Sequence, residues 1–101
     1  MKLSELFAKK IPTLSFEVFP PKTSDTYDSV KTAVEQIANL HPDYMSVTYG
    51  AGGGTSAYTV AVAQEIMSRG VTPLAHLTCL SSTKEKISEQ LDILGQKGIE
   101  N

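Results

Sequence analysis

The chain has 101 residues, 41% hydrophobic and 20% charged, with a net charge of −2 at neutral pH. These values describe an ordinary globular chain of at most one modest domain; no basic run resembles a nucleic-acid footprint. No apolar run approaches membrane-spanning length, the first residues lack a signal peptide's apolar core, and the single cysteine, Cys79, has no internal disulfide partner. The expected setting is the reducing cytoplasm, with no membrane and no nucleic acid as partner.

In chain order, Met1-Lys2-Leu3-Ser4-Glu5 opens a helical pattern, and a strand is predicted over 13–19. Phe16, Val18 and Phe19 favour an extended, packed backbone, and Pro20-Pro21 cannot donate ladder hydrogen bonds, so the strand stops there. This places Glu17 near the carboxyl end of an otherwise apolar strand. Buried there, its carboxyl would be pushed toward the protonated form, which suits a general acid near neutral pH. A Glu on the outer face paired with a lysine is equally compatible with this segment.

A helix follows from near Ser24 or Asp25, either able to cap it, with Tyr27, Val30, Val34, Ile37 and Leu40 as its apolar stripe and Pro42 as its stop. His41, at that helix end, is expected to face solvent. The second strand, 44–49, runs into Gly50-Ala51-Gly52-Gly53-Gly54-Thr55. These glycines allow close approach of a ligand and precede a helix start, but the dinucleotide fingerprint and the P-loop Lys-Ser/Thr pair are both missing. A plain strand-to-helix turn explains the loop as well as a phosphate site does.

Thr55 or Ser56 is the expected cap of the next helix, whose inner face uses Val62, Ile66 and alanines until Gly70 closes it. The third strand, 72–77, carries His76 near its end, where ligand contact competes with a purely structural role. Without a second His or an acidic cluster nearby, zinc is not expected. Cys79 reads as a small packed residue. Ser82 and Glu85 have capping-box spacing, and Ile87, Leu91 and Leu94 form the expected buried stripe of a last helix ending near Gly98.

Strands recurring about every 30 residues, each followed by a helix, predict an α/β chain built on a parallel sheet, either doubly wound or part of a (β/α)8 TIM-type barrel. The suggestive residues Glu17, Thr48-Tyr49 and His76 all fall at carboxyl ends of strands, which favours the barrel. A barrel needs about 250 residues, and only three successive βα units are present. Residues 1–101 therefore read as the amino-terminal portion of a single barrel domain. Three open parallel strands also admit a non-enzymatic reading, a βα fragment that self-associates along its free edge.

Ser15-Phe16-Glu17-Val18-Phe19-Pro20-Pro21-Lys22-Thr23, Ser46-Val47-Thr48-Tyr49-Gly50-Ala51-Gly52-Gly53 and Ala75-His76-Leu77-Thr78-Cys79, in this order and spacing, resemble the methylenetetrahydrofolate reductase family over essentially the whole chain. The resemblance implies an FAD-containing barrel that uses NADH or NADPH to reduce 5,10-methylenetetrahydrofolate to 5-methyltetrahydrofolate, as a homo-oligomer in the full-length parent. It implies Glu17 as the acid that opens the folate's five-membered ring, Thr48 beside the nicotinamide, and Tyr49, Ala51 and His76 against FAD. It also implies that this chain alone binds FAD poorly and does not turn over. A different barrel enzyme using the glycine loop for phosphate is the remaining alternative.

Overall fold

The computed structural model describes residues 1–49 and 56–101. A short helix α1 (Leu3–Ala8) precedes strand β1 (Ser15–Val18); a 3-10 turn (Ser24–Thr26) leads into α2 (Tyr27–Ala38); then follow β2 (Tyr44–Val47), α3 (Ser56–Ser68), β3 (Thr72–Ala75) and α4 (Lys84–Gln96). The three strands form one sheet in the order β1-β2-β3, both pairings parallel, with register rows running from Ser15↔Tyr44↔Thr72 to Val18↔Val47↔Ala75. The predicted α/β class and parallel sheet are thus present. Each strand is shorter than predicted, but single ladder bonds extend β2 and β3: Thr48 N–H donates to Val18 O and His76 N–H to Val47 O.

Strand side chains alternate between the two faces of a sheet. Phe16, Val18, Met45, Val47, Pro73 and Ala75 share one face by this parity, and Met45 and Val47 are completely buried there. Val34 and Ala38 of α2, with Val62, Ala63 and Ile66 of α3, complete this core, and Val71 and Ile99 join it. Val34, Ala63 and Ile66 lose all their exposure, so burial of apolar surface under these two helices is the main force holding the layers together. Arg69 ties the helices on the outside, with Nη1 3.2 Å from Glu35 of α2 and Nη2 3.0 Å from Glu65 of α3. Burial, and secondarily the nearby Glu65 charge, push the Tyr27 phenol above its ordinary value.

Pro73 sits within β3, an edge strand paired with β2 on one side, where a proline is tolerated if its missing N–H would face away from the partner. The ladder explains it: His76 N–H points to β2, whereas Ala75 N–H points the other way and donates to Asn101 O at 2.9 Å. By alternation, residue 73 also faces away from β2, so the missing N–H costs the β2–β3 ladder nothing. The same bond seats the segment after α4 beside β3.

Several local expectations shift. Ser24 and Asp25 lie inside the 3-10 turn rather than ahead of the helix. Leu40 lies past the end of α2 and is 61% exposed, while Ala38 takes the last core position. The last helix is capped by Thr83, whose Oγ1 accepts from Lys86 N–H at 3.2 Å, one residue later than the Ser82–Glu85 spacing suggests. Leu91 of that helix is 56% exposed, and Ile93 and Leu94 make its contact with the core. Cys79 is exposed, because it lies in the segment between β3 and α4 rather than under a helix. Gly70 and Gly98 end their helices at φ of 80° and 75°, the left-handed conformation expected of such glycines. Among the described residues, no helix is long and apolar enough to cross a membrane.

Candidate active site

The face opposite the helices carries Ser15, Glu17, Tyr44, Ser46, Thr72 and Leu74, and the parity continues through Thr48 and His76 just past the strand ends. Three parallel strands in register therefore bring Glu17, Thr48 and His76 to the same face and the same, carboxyl, end of the sheet. Thr48 Oγ1 lies 3.1 Å from Glu17 Oε1 and 3.2 Å from Val18 O, so the hydroxyl proton is shared between the carboxylate and the neighbouring strand's backbone. His76 Nδ1 is 3.9 Å from the same Glu17 oxygen, within ion-pair range when the imidazole is protonated but beyond a direct hydrogen bond.

The Glu17 side chain is 47% exposed and that of His76 41%. Burial of Glu17, expected from its apolar neighbours, is therefore not found. Those neighbours divide between faces: Val18 enters the core under the helices, while Glu17 and Phe19 project from the open face, where Phe19 is 69% exposed. β1 is also an edge strand, with β2 on one side only. Tyr49 follows Thr48 and is half-buried, whereas Ala51 and the rest of the glycine loop, 50–55, lie outside the described residues.

Beneath Thr48 lies a residue that motif reading passes over. Thr59, in the first turn of α3, donates its hydroxyl to Thr48 O at 3.0 Å and is only 2% exposed. No spacing rule links residues 48 and 59; the one sequence signal is a threonine among Val60, Val62 and Ala63 on a buried helix.

The donor set decides what this end can do. It offers one carboxyl able to exchange a proton, a hydroxyl, an imidazole and a phenol. Among the described residues, no three His, Cys, Asp or Glu side chains converge as metal ligands would. A separate cleft of about 230 Å³, lined by Met1, Met67, Gly70, Val71, Gly98 and Asn101, lies at the opposite end of the sheet, away from these groups.

Comparison with known proteins shows the family. The sequence profile of the family described as methylenetetrahydrofolate reductase matches residues 2–101. A 5,10-methylenetetrahydrofolate reductase of Pectobacterium carotovorum subsp. carotovorum is 34% identical over 85% of this chain and 29% of its own length. A probable methylenetetrahydrofolate reductase (NADH) of Oryza sativa subsp. japonica is 33% identical over 99% of the chain and 17% of its own. A 5,10-methylenetetrahydrofolate reductase of Buchnera aphidicola subsp. Acyrthosiphon pisum is 41% identical over 74% of the chain and 26% of its own. The chain thus spans less than a third of the length of each of these three relatives.

Proposed function

The chain belongs to the methylenetetrahydrofolate reductase family, and from that premise we propose that it forms the first three βα units of a (β/α)8 barrel that reduces 5,10-methylenetetrahydrofolate to 5-methyltetrahydrofolate in the cytoplasm. The observation that carries this reading is the convergence of Glu17, Thr48 and His76 on the open face at the carboxyl ends of three parallel strands. In a closed barrel that face turns inward, and the carboxyl ends of its strands line the reaction site. Residues 1–101 act as one part of a single domain, and the complete protein works as a homo-oligomer.

The donor set fits a flat, polar cofactor: His76 on the open face and the half-buried Tyr49 just past β2 offer ring nitrogen and phenol groups. They would hold FAD together with the backbone at Ala51, and Thr48 would face the nicotinamide of NADH or NADPH; the rice relative's name specifies NADH. FAD, when bound, supplies the hydride that reduces the folate's one-carbon unit. Glu17 supplies the proton that opens the folate ring. Its Oε1 accepts from Thr48 and faces His76, which leaves Oε2 as the oxygen that carries and delivers this proton. A closed barrel would also keep bulk water away from the carboxyl during the reaction.

With this face open, the isolated chain holds FAD weakly and turns over little, since a working site needs its surrounding shell in place. The test is an absorption spectrum of the chain after incubation with FAD and desalting, beside the same measurement and a folate-reduction assay on a complete barrel carrying these residues. A colourless chain and a yellow, active barrel are the expected results. A complete barrel that retains flavin but does not reduce methylenetetrahydrofolate would overturn the reading.

A further inference from the structure

Thr48 is held at three points. Its N–H donates to Val18 O at 3.1 Å, its hydroxyl is shared between Val18 O and Glu17 Oε1, and its carbonyl accepts from Thr59 Oγ1 at 3.0 Å. Among the described residues, the first two fasten it to β1 and the third fastens it to α3. Between Thr48 and Thr59 runs the chain that leaves β2, passes through the glycine loop and enters the helix. The Thr59 bond ties the end of β2 to the first turn of α3.

Thr59 is the one buried polar side chain among the described residues. Valine has nearly the same shape and would bury there without a hydroxyl to satisfy, so packing alone does not call for threonine. The adjoining buried positions, Val60 and Val62, are valines. The hydroxyl's bond leads directly to the residue that touches the Glu17 carboxylate.

We propose that Thr59 is a positioning residue: through the Thr48 carbonyl it fixes the Thr48 hydroxyl, and through that hydroxyl the Glu17 carboxyl at the carboxyl end of the sheet. Its service to folate reduction rests on the function proposed above, whereas the linkage itself is a property of this chain and can be read without turnover.

The experiment uses the 101-residue chain and compares wild type, Thr59→Val and Thr59→Ser by carbon-13 NMR at fixed neutral pH. The probes are the Glu17 carboxyl carbon and the Thr48 γ-methyl, with thermal unfolding measured alongside. Thr59→Val is expected to move both resonances, and Thr59→Ser to return them to the wild-type positions. Resonances that superimpose on wild type in a folded Thr59→Val chain overturn the proposal, whatever happens to the melting temperature. If the valine variant does not fold, the wild-type Thr59 hydroxyl proton decides: slow exchange with water and a cross-peak to Thr48 support the linkage, and fast exchange overturns it. In a complete barrel, Thr59→Val should lower kcat for folate reduction with KM little changed, and Thr59→Ser should restore it. A wild-type barrel that does not reduce methylenetetrahydrofolate would sink the proposed function while leaving the NMR result to stand or fall alone.

Discussion

At the amino ends of the strands, polar side chains bond to backbone and hold the chain to itself. Asp43 Oδ2 accepts from Leu14 N–H at 2.7 Å while Asp43 N–H donates to Leu14 O, a reciprocal clasp between the starts of β1 and β2. Asn101 Oδ1 accepts from Leu3 N–H and its Nδ2 donates to Met1 O, so α1 is fastened to the segment beside β3. Leu3 and Leu6 are buried at this end, and Phe7 meets Tyr44 edge-on at 5.9 Å. At the carboxyl ends, by contrast, Thr48 and Glu17 bond side chain to side chain, and Glu17 and His76 keep nearly half their surface in water. One end spends its polar groups on backbone partners and is thereby settled. The other leaves a carboxyl and an imidazole partly open to solvent.

This contrast can be broken by substitution. The largest effect is expected from Glu17→Gln in a complete barrel: folate reduction should fall by about 10²–10⁴-fold, the usual worth of a general acid, with flavin still bound. Near-normal folate turnover would show that the carboxyl end does not hold the acid. Next in size is Ile66→Ala in the layer that serves both ends. Removing a fully buried side chain between α3 and the sheet should cost about 2–5 kcal/mol, read as a lower urea midpoint. A loss below that range would mean that α3 collapses readily onto β2 and β3.

Asn101→Ala sharpens the comparison most at the smallest cost. It deletes the acceptor for Leu3 N–H and the donor to Met1 O but keeps the backbone bond to Ala75, so about 1 kcal/mol of stability should go. The Glu17 and His76 resonances should not move. If they do, the two ends are coupled through β3 and the division drawn between them fails.

Much of this division is legible in the sequence. Period-two patterning, the breakers Pro20-Pro21 and Pro42, and Gly70 and Gly98 are local signals, and local signals place the strands and helix ends within a few residues. Counting parity along those strands suffices to bring Glu17, Thr48 and His76 together. What local signals cannot carry is which face a third element covers. Glu17 looks buried because Phe16 and Val18 flank it, yet in a strand the flanking residues lie on the opposite face. Leu40 and Leu91 continue apolar stripes past the point where a neighbour remains to meet them. Thr83, not Ser82, caps α4, a one-residue shift that the Ser-x-x-Glu spacing does not show. Thr59 and Asn101 are invisible for one further reason: each acts on a distant stretch of backbone, and nothing in the spacing of residues 48 and 59, or 1 and 101, foretells the contact.

Pro73 has a bearing on how any further strand comes to rest against β3. Along that margin, Ala75 offers a hydrogen to Asn101 O, whereas position 73 presents a nitrogen that can offer none. A chain lying along that margin finds a donor at Ala75 and none at residue 73, and this holds equally for alignments two residues apart. The proline thus thins this margin by one donor and leaves its hold on a neighbour to the residues on either side of it.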